Sequence, residues 1–422
     1  MKNVDSVFLS VFMQALKPQL NSQDPELTAD GWKAVLSRAD EHSILPLVCD
    51  KIFDFKSFRL LDSSVRKAYQ ENAVRQTIRQ IEQEKDFLTF LLFAQENGYD
   101  PIVIKGLTIR HLYAHPFLRP SVDEDLLINS GQAVPFHQTI LEYGFEADAP
   151  DADIPGADEL GYHKPDSPSY IELHKHLFST GSGILGDFNQ FFENYSDRTV
   201  RVQIEDVSVR TLAPTDHLLY LILHAFKHFV HSGIGIRAVC DIGLFAEHHA
   251  SDIDWEHVRS GLEEVHAFDF ARGLFRIAQL HLLPDAAFYC CISDWKIEEI
   301  DTEPLLDDIL SGGVHGNSSL ERLHSSNITL NAIENDRKES SAGQGFLSTA
   351  IHSVFLPLGK MSVHYPYLKK APFLLPAAWI QRIGKYLQER KAAGKGGKNT
   401  AAGSIRLGRS RVELLKKYGI IR

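Results

Sequence analysis

Leu118-Arg-Pro-Ser-Val-Asp-Glu-Asp-Leu-Leu-Ile128 follows closely on Val103-Ile-Lys-Gly-Leu-Thr-Ile-Arg-His-Leu-Tyr113. In an extended strand alternate side chains share a face, so Asp123 and Asp125 point one way while Val122, Leu126 and Ile128 point the other. Two carboxylates converging on a rigid strand suit a divalent metal such as magnesium, which prefers oxygen ligands and completes its shell with water and substrate phosphates. A third acid should come from a neighbouring strand. Glu172 in Ser169-Tyr-Ile-Glu-Leu-His-Lys-His176 is the best candidate, because Tyr170, Glu172, His174 and His176 share a face opposite Ile171 and Leu173. Taken alone, Asp-x-Asp on a strand is equally compatible with a solvated acidic face.

Outward from this stretch the hydrophobic period changes several times. Residues 1–97 repeat apolar positions at three- and four-residue intervals (Val7, Leu9, Phe12, Leu16; Ile81, Phe87, Leu88, Leu91, Leu92) and predict a helical lead-in. Asn97-Gly98 is a helix-stop signal, and Pro101 to Ile104, short and β-branched, predicts the first strand, ending at Gly106. Helical spacing returns over 107–114, strand alternation over 121–128, a helix over 132–143, a strand over 169–177 and a strand pair over 200–209. Asp, Pro, Gly and Ser over 148–169 predict a mobile acidic loop. Residues 98–210 are thus a small mixed α/β unit. Residues 211–310 predict a helical domain, its first helix capped by Thr215 or Asp216. Residues 311–346 are a polar linker and 347–422 a basic C-terminal segment.

With 422 residues, 44% of them hydrophobic and 23% charged, the chain has the composition of a folded globular protein. Its apolar run from Pro372 to Ile380 holds two prolines and is far below the roughly 20 residues of a membrane helix. The N-terminus lacks the apolar core of a signal peptide, so a cytoplasmic protein is expected. Cys49, Cys240, Cys290 and Cys291 form neither a disulfide framework nor a zinc motif, and the vicinal pair is expected to be buried. The net charge of -11 divides into -24 over residues 1–358 and +13 over 359–422. Trp379, Ile380, Ile383 and Leu387 fall at helical spacing among Arg382, Lys385, Arg390 and Lys391, and such a helix is expected to dock on the acidic body. The acidic body argues against broad nucleic-acid binding, which needs many Lys and Arg contacts to phosphate. Gly394-Lys-Gly-Gly-Lys-Asn-Thr400 fails as a P-loop, with Ala392 and Asn399 where glycine and Ser or Thr belong.

Gly106 lies at a strand-to-helix junction upstream of Asp123, where a bare backbone can approach a triphosphate. The whole arrangement resembles the nucleotidyltransferase superfamily of DNA polymerase β type. More narrowly, it is similar to the bacterial family of uncharacterised nucleotidyltransferases. Lys105-Gly106, Arg119-Pro-Ser-Val-Asp-Glu-Asp-Leu-Leu-Ile128 and Glu172-Leu-His174 match that family's pattern, as do His217-Leu-Leu-Tyr-Leu-Ile-Leu-His-Ala-Phe-Lys-His228 and Arg237-Ala-Val-Cys-Asp-Ile-Gly243. Lys105 departs from the wider superfamily's small residue, and Glu172 is one methylene longer than its usual aspartate. The resemblance implies an α+β fold, a small mixed-sheet nucleotidyltransferase core flanked by N-terminal helices and a C-terminal helical domain. It further implies NTP as substrate and two Mg2+ ions held by Asp123, Asp125 and Glu172. Lys105 and Gly106 would meet the phosphates, with Lys227 a further contact and Arg119 either holding the triphosphate or buttressing the acids. His174, His224, His228 and Asp241 would line the substrate cleft. His224 and His228 are spaced for zinc, but the Glu of HExxH is absent. The expected reaction moves an NMP group to a small-molecule or protein hydroxyl with release of pyrophosphate. The alternatives are a non-catalytic nucleotide- or partner-binding module of the same fold and an adaptor acting through the basic tail.

Overall fold

The structure is a computed structural model and describes residues 3–17, 23–179, 187–313, 329–330, 332–333, 372–378, 381 and 400–421. The chain divides into two compact units, Met1–Phe226 with Ile234–Val314, and Lys227–Gly233 with His315–Arg422. The first contains the sheet and the helices that position the candidate site. No helix among the described residues is long and apolar enough to cross a membrane.

The first unit opens with α1 (Asn3–Leu16), α2 (Ala29–Glu41), α3 (Leu45–Ile52) and α4 (Ser63–Glu96). Asp62 caps α4 by accepting from the Ser64 and Val65 N–H groups, and the helix stops where Gly98 takes a φ of +82°. Its last three turns bury Phe87, Leu88, Phe90, Leu91 and Ala94 against the sheet.

The sheet is α+β in construction and mixed in direction. Its strands β1 (Ile102–Val103), β2 (Glu124–Leu127), β3 (Glu146–Ala147), β4 (Glu159–His163) and β5 (Tyr170–His174) lie in the order β1-β2-β5-β4-β3. Only β2 and β5 run parallel; the other pairs are antiparallel. Between strands lie the single-turn α5 (Leu107–Arg110) and α6 (Ala133–Glu142). Leu126, Phe136, Ile140, Tyr162, Ile171 and Leu173 join the α4 residues in one core, and burial of such side chains contributes roughly 1.5–3 kcal/mol each. A hairpin, β6 (Thr199–Ile204) and β7 (Val207–Leu212), forms a second sheet. Its Thr211 hydroxyl donates to the Val103 carbonyl at 2.6 Å.

After the hairpin come α7 (Pro214–His231), α8 (Ile236–His248), α9 (Trp255–Glu264), α10 (Phe268–His281) and α11 (Glu303–Gly312). Helix α7 begins at Pro214, upstream of both expected caps: Asp216 instead accepts from Arg198, and the Thr215 hydroxyl accepts from the Asp254 N–H. In the second unit Arg411, on the helix Thr400–Lys417, donates to the backbone carbonyls of Phe229 and His231.

Several local expectations are corrected. The stretch 148–169 is not all loop, because β4 runs through it with Leu160 and Tyr162 buried and their neighbours outward. Strand β2 starts at Glu124 rather than at residue 121, so Val122 is 68% exposed instead of joining the apolar layer. Cys290 and Cys291 are both exposed, at the end of a short 3-10 turn. Of the tail, Trp379, Ile380, Arg382, Ile383, Lys385, Leu387, Arg390 and Lys391 lie outside the described residues, as does most of the linker 311–346.

Candidate active site

The parallel register of β2 and β5 sets Asp125 directly beside Glu172, and Leu127 beside His174. Side chains in register project on one side of a sheet, so Asp125 and Glu172 meet without any loop having to place them. His174, two residues along the same face, completes the group: each of the three offers a ligand atom, and these atoms lie within 4.8 Å of one another. Among the described residues this is the cluster able to hold a metal ion.

Both oxygens of Asp125 are engaged. His174 Nε2 lies 3.1 Å from Oδ1, and Lys105 Nζ lies 3.0 Å from Oδ2. Lys105 is brought there by its neighbour Ile104, whose N–H donates to the Asp125 carbonyl at 3.1 Å and whose carbonyl accepts from His217 Nε2 at 2.8 Å. His217 is buried and its pKa falls to about 3, so it stays a neutral donor. Burial opposes the charge on Asp125, but Lys105 and then His174 overcome it and hold the carboxyl well below the usual carboxylate range. Lys105 is likewise held protonated, its burial outweighed by Asp125 and Asp123.

Glu172 goes the other way. Burial, with the charges of Asp125 and Asp123 added to it, raises its pKa to about 7. His174 Nε2 is 3.7 Å from its carboxylate and His174 Nδ1 is 3.6 Å from Glu159. Burial would lower the His174 pKa, yet its hydrogen bond to Asp125 and the charges of Asp125 and Glu159 raise it. Asp123 precedes β2 and is half-buried, outside the 4.8 Å group, but its charge acts on Lys105, Glu172 and Tyr220.

Gly106 leaves room for a neighbouring side chain. It has a φ of +63°, and a β-carbon there would collide with the carboxylate of Glu124. That carboxylate accepts from the Leu107 N–H at 2.7 Å. The N-terminus of α5 is therefore capped by the chain's own acid.

Sequence reading passed over the network behind this cap. Arg110 is fully buried, pairing with Glu84 at 2.6 Å, with Glu124, and with the Ser121 hydroxyl at 2.8 Å. His111 adds a contact to Glu84 at 2.9 Å. From α4, Gln80 accepts from the Ser121 N–H at 2.6 Å and Gln83 donates to the Val122 carbonyl at 3.1 Å. Gln80, Gln83 and Glu84 thus form a buried polar stripe at helical spacing that clamps the segment leading into Asp123. The available signal was that stripe: three polar residues on the helix face that continues into Phe87 and Leu91.

Arg119 is buried and its guanidinium grips Asp241 through two bonds of 3.1 and 2.6 Å, while the Tyr113 hydroxyl donates to the same carboxylate at 2.7 Å. The Arg119-Asp241 pair ties the segment before β2 to α8, and buttressing of that segment was one of the two roles expected of Arg119. His224 packs on Tyr220 with ring centroids 5.5 Å apart. Lys227 and His228 belong to the second unit.

Two carboxylates and an imidazole facing one point fit a divalent cation: burial and the like charges of Asp125 and Asp123 leave Glu172 with a pKa near neutrality, a penalty that a cation relieves. Oxygen donors suit magnesium, and the imidazole extends the set toward manganese or zinc.

No curated protein and no solved structure matches the chain. A family described as uncharacterised nucleotidyltransferase matches residues 28–282, from the start of α2 to the end of α10, and so takes in α4, the sheet, the Asp125-Glu172-His174 group and the Arg119-Asp241 clasp. With more than half of its length matched, the chain is a member of the uncharacterised nucleotidyltransferase family.

Proposed function

We propose that the protein is a magnesium-dependent enzyme that transfers an NMP group from an NTP to the hydroxyl of a small molecule or protein, in the cytoplasm. The observation that carries this reading is the convergence of Asp125, Glu172 and His174 on paired strands of a nucleotidyltransferase-family chain. Asp125 and Glu172, with Asp123 nearby, would hold the metal, which supplies charge neutralisation at the phosphates and the attacking oxygen. Lys105 carries a permanent positive charge to the same place.

A carboxylate oxygen of Glu172 would receive the proton of the acceptor hydroxyl. The acceptor oxygen then bonds to the α-phosphorus, the bond from that phosphorus to the bridging oxygen breaks, and pyrophosphate leaves with the electron pair. Positioning and electrostatics supply most of the acceleration in such transfers. A metal-dependent panel of NTPs with pyrophosphate detection tests the reading; turnover that is absent with every NTP and every acceptor class sinks it.

A second reading has an observation of its own. Lys105 and His174 already engage both oxygens of Asp125, and Glu124 fills the space over Gly106. A site so compensated suits a module that binds a nucleotide without turning it over. Saturable NTP binding with no pyrophosphate release would select it.

A further inference from the structure

The cations around the site are nearly all committed to acids: Lys105 to Asp125, Arg110 to Glu84 and Glu124, Arg119 to Asp241. Arg237 is the exception. It is the second residue of α8, half-buried, and its Nη1 donates to the Pro120 carbonyl at 2.6 Å. That is its one hydrogen bond among the described residues, and it has no ion pair among them; Nε and Nη2 are unengaged. Its partner carbonyl stands three residues before Asp123, on the segment that delivers the acids. Gly235, which caps α8, brings no side-chain acceptor to that end of the helix.

The charges of Asp241 and Asp123 act on Arg237, but neither forms an ion pair with it, so the desolvation of the half-buried guanidinium is only partly offset. The Arg119 charge beside it adds to that cost, and together burial and Arg119 lower the Arg237 pKa to about 10. An anion of two or more phosphates supplies what is missing, since Nε and Nη2 form the edge that binds two oxygens side by side. We infer that Arg237, rather than Arg119, is the residue that binds the polyphosphate of the nucleotide. This rests on the reading of the site as an NTP site, and it assigns the triphosphate end to the α8 side of the acids.

The test is binding of inorganic triphosphate to the full chain by calorimetry, without metal, for the wild type, Arg237→Gln and Arg237→Lys. Gln keeps a donor for the Pro120 carbonyl and removes the charge; Lys keeps the charge and loses the two-oxygen edge. The inference expects at least a tenfold weaker Kd in Arg237→Gln and partial recovery in Arg237→Lys, with Tm values close to that of the wild type. Equal triphosphate affinity in the wild type and Arg237→Gln overturns it while leaving the NTP site standing. A wild-type protein that binds neither triphosphate nor any NTP overturns both. Should Arg237→Gln melt early, Arg237→Lys decides: an unchanged Kd overturns the two-oxygen contact and a several-fold weaker one supports it.

Discussion

Glu124 and Asp125 are consecutive residues on one strand, and they face opposite sides of the sheet. On the Glu124 side every charge has a partner: Arg110, without exposure, lies between Glu84 and Glu124, and the Leu107 N–H closes the group. On the Asp125 side Lys105 serves one acid, and Glu172 is left half-buried beside two others with its pKa near 7. The ingredients are alike, basic groups among carboxylates in a low-dielectric setting. What differs is the charge left over. A balanced network fixes a backbone, whereas an unbalanced one attracts a cation or moves a proton.

The largest effect that follows is on the unbalanced side. Asp125→Asn should lower nucleotide turnover by about 10²–10³-fold or more, the range for removing a preorganised charge from a reacting centre. Asp123→Asn should lower turnover while leaving Tm nearly unchanged, since Asp123 precedes the strand and is half-buried. A steady-state pyrophosphate assay beside a melting curve checks both, and wild-type turnover in both variants would remove the catalytic role of this face.

On the balanced side the expected loss is stability. Arg110→Met leaves Glu84 and Glu124 buried without their cation, and breaking a buried pair from one side costs about 3–5 kcal/mol. Chemical denaturation should show this as a lower midpoint, with triphosphate affinity in the surviving folded protein close to normal. If Arg110→Met instead kept its stability and lost triphosphate binding, the two faces would have exchanged roles.

This contrast also marks how far the sequence was legible. A short β-branched run exposed β1, and alternation exposed β2 and β5 and singled out Glu172, although all four residues of β2 are buried. β4 was hidden by composition: Asp, Pro, Gly and Ser around it outweighed the Leu160 and Tyr162 alternation. Gly106 was correctly read as a place needing no side chain, but what approaches it, Glu124, is fixed only by tertiary contact. The Arg119-Asp241 clasp joins residues far apart in the chain, and no local period reports such a pairing. Arg110 was unreadable for the same reason, since its partners come from α4 and β2.

The difference between the faces has a pH signature. Burial and the charges of Asp125 and Asp123 raise the Glu172 pKa to about 7 in the folded metal-free protein, against 4.5 for an ordinary glutamate. A carboxyl raised in this way favours the folded state below the unfolded pKa and loses that contribution as pH rises through 7. Glu172→Gln should therefore stabilise the metal-free protein at pH 8, on the order of 1–2 kcal/mol, and give little or no gain at pH 5. Thermal melts of both proteins in chelator at the two pH values check the sign. A gain of equal size at both would mean that packing, not charge, is responsible.

The smallest expected effect concerns Lys105, the residue that partly balances the open face. Its ammonium lies 3.0 Å from Asp125 Oδ2, with 22% of the side chain exposed. It neutralises one acid and thereby repels a divalent ion that needs the same oxygen. Lys105→Met keeps the apolar stem and removes the charge, so Mn2+ should bind about tenfold more tightly, a difference of about 1.4 kcal/mol. Electron paramagnetic resonance of free Mn2+ during a titration measures this directly, without reliance on turnover. Triphosphate should bind the same variant less well, because a cation near the phosphates has gone. Tighter metal and weaker triphosphate together would make Lys105 a group shared between acid and phosphate. Weaker metal binding would mean instead that Lys105 holds Asp125 in its ligating position, and the open face would then be as dependent on its cation for structure as the closed face is on Arg110.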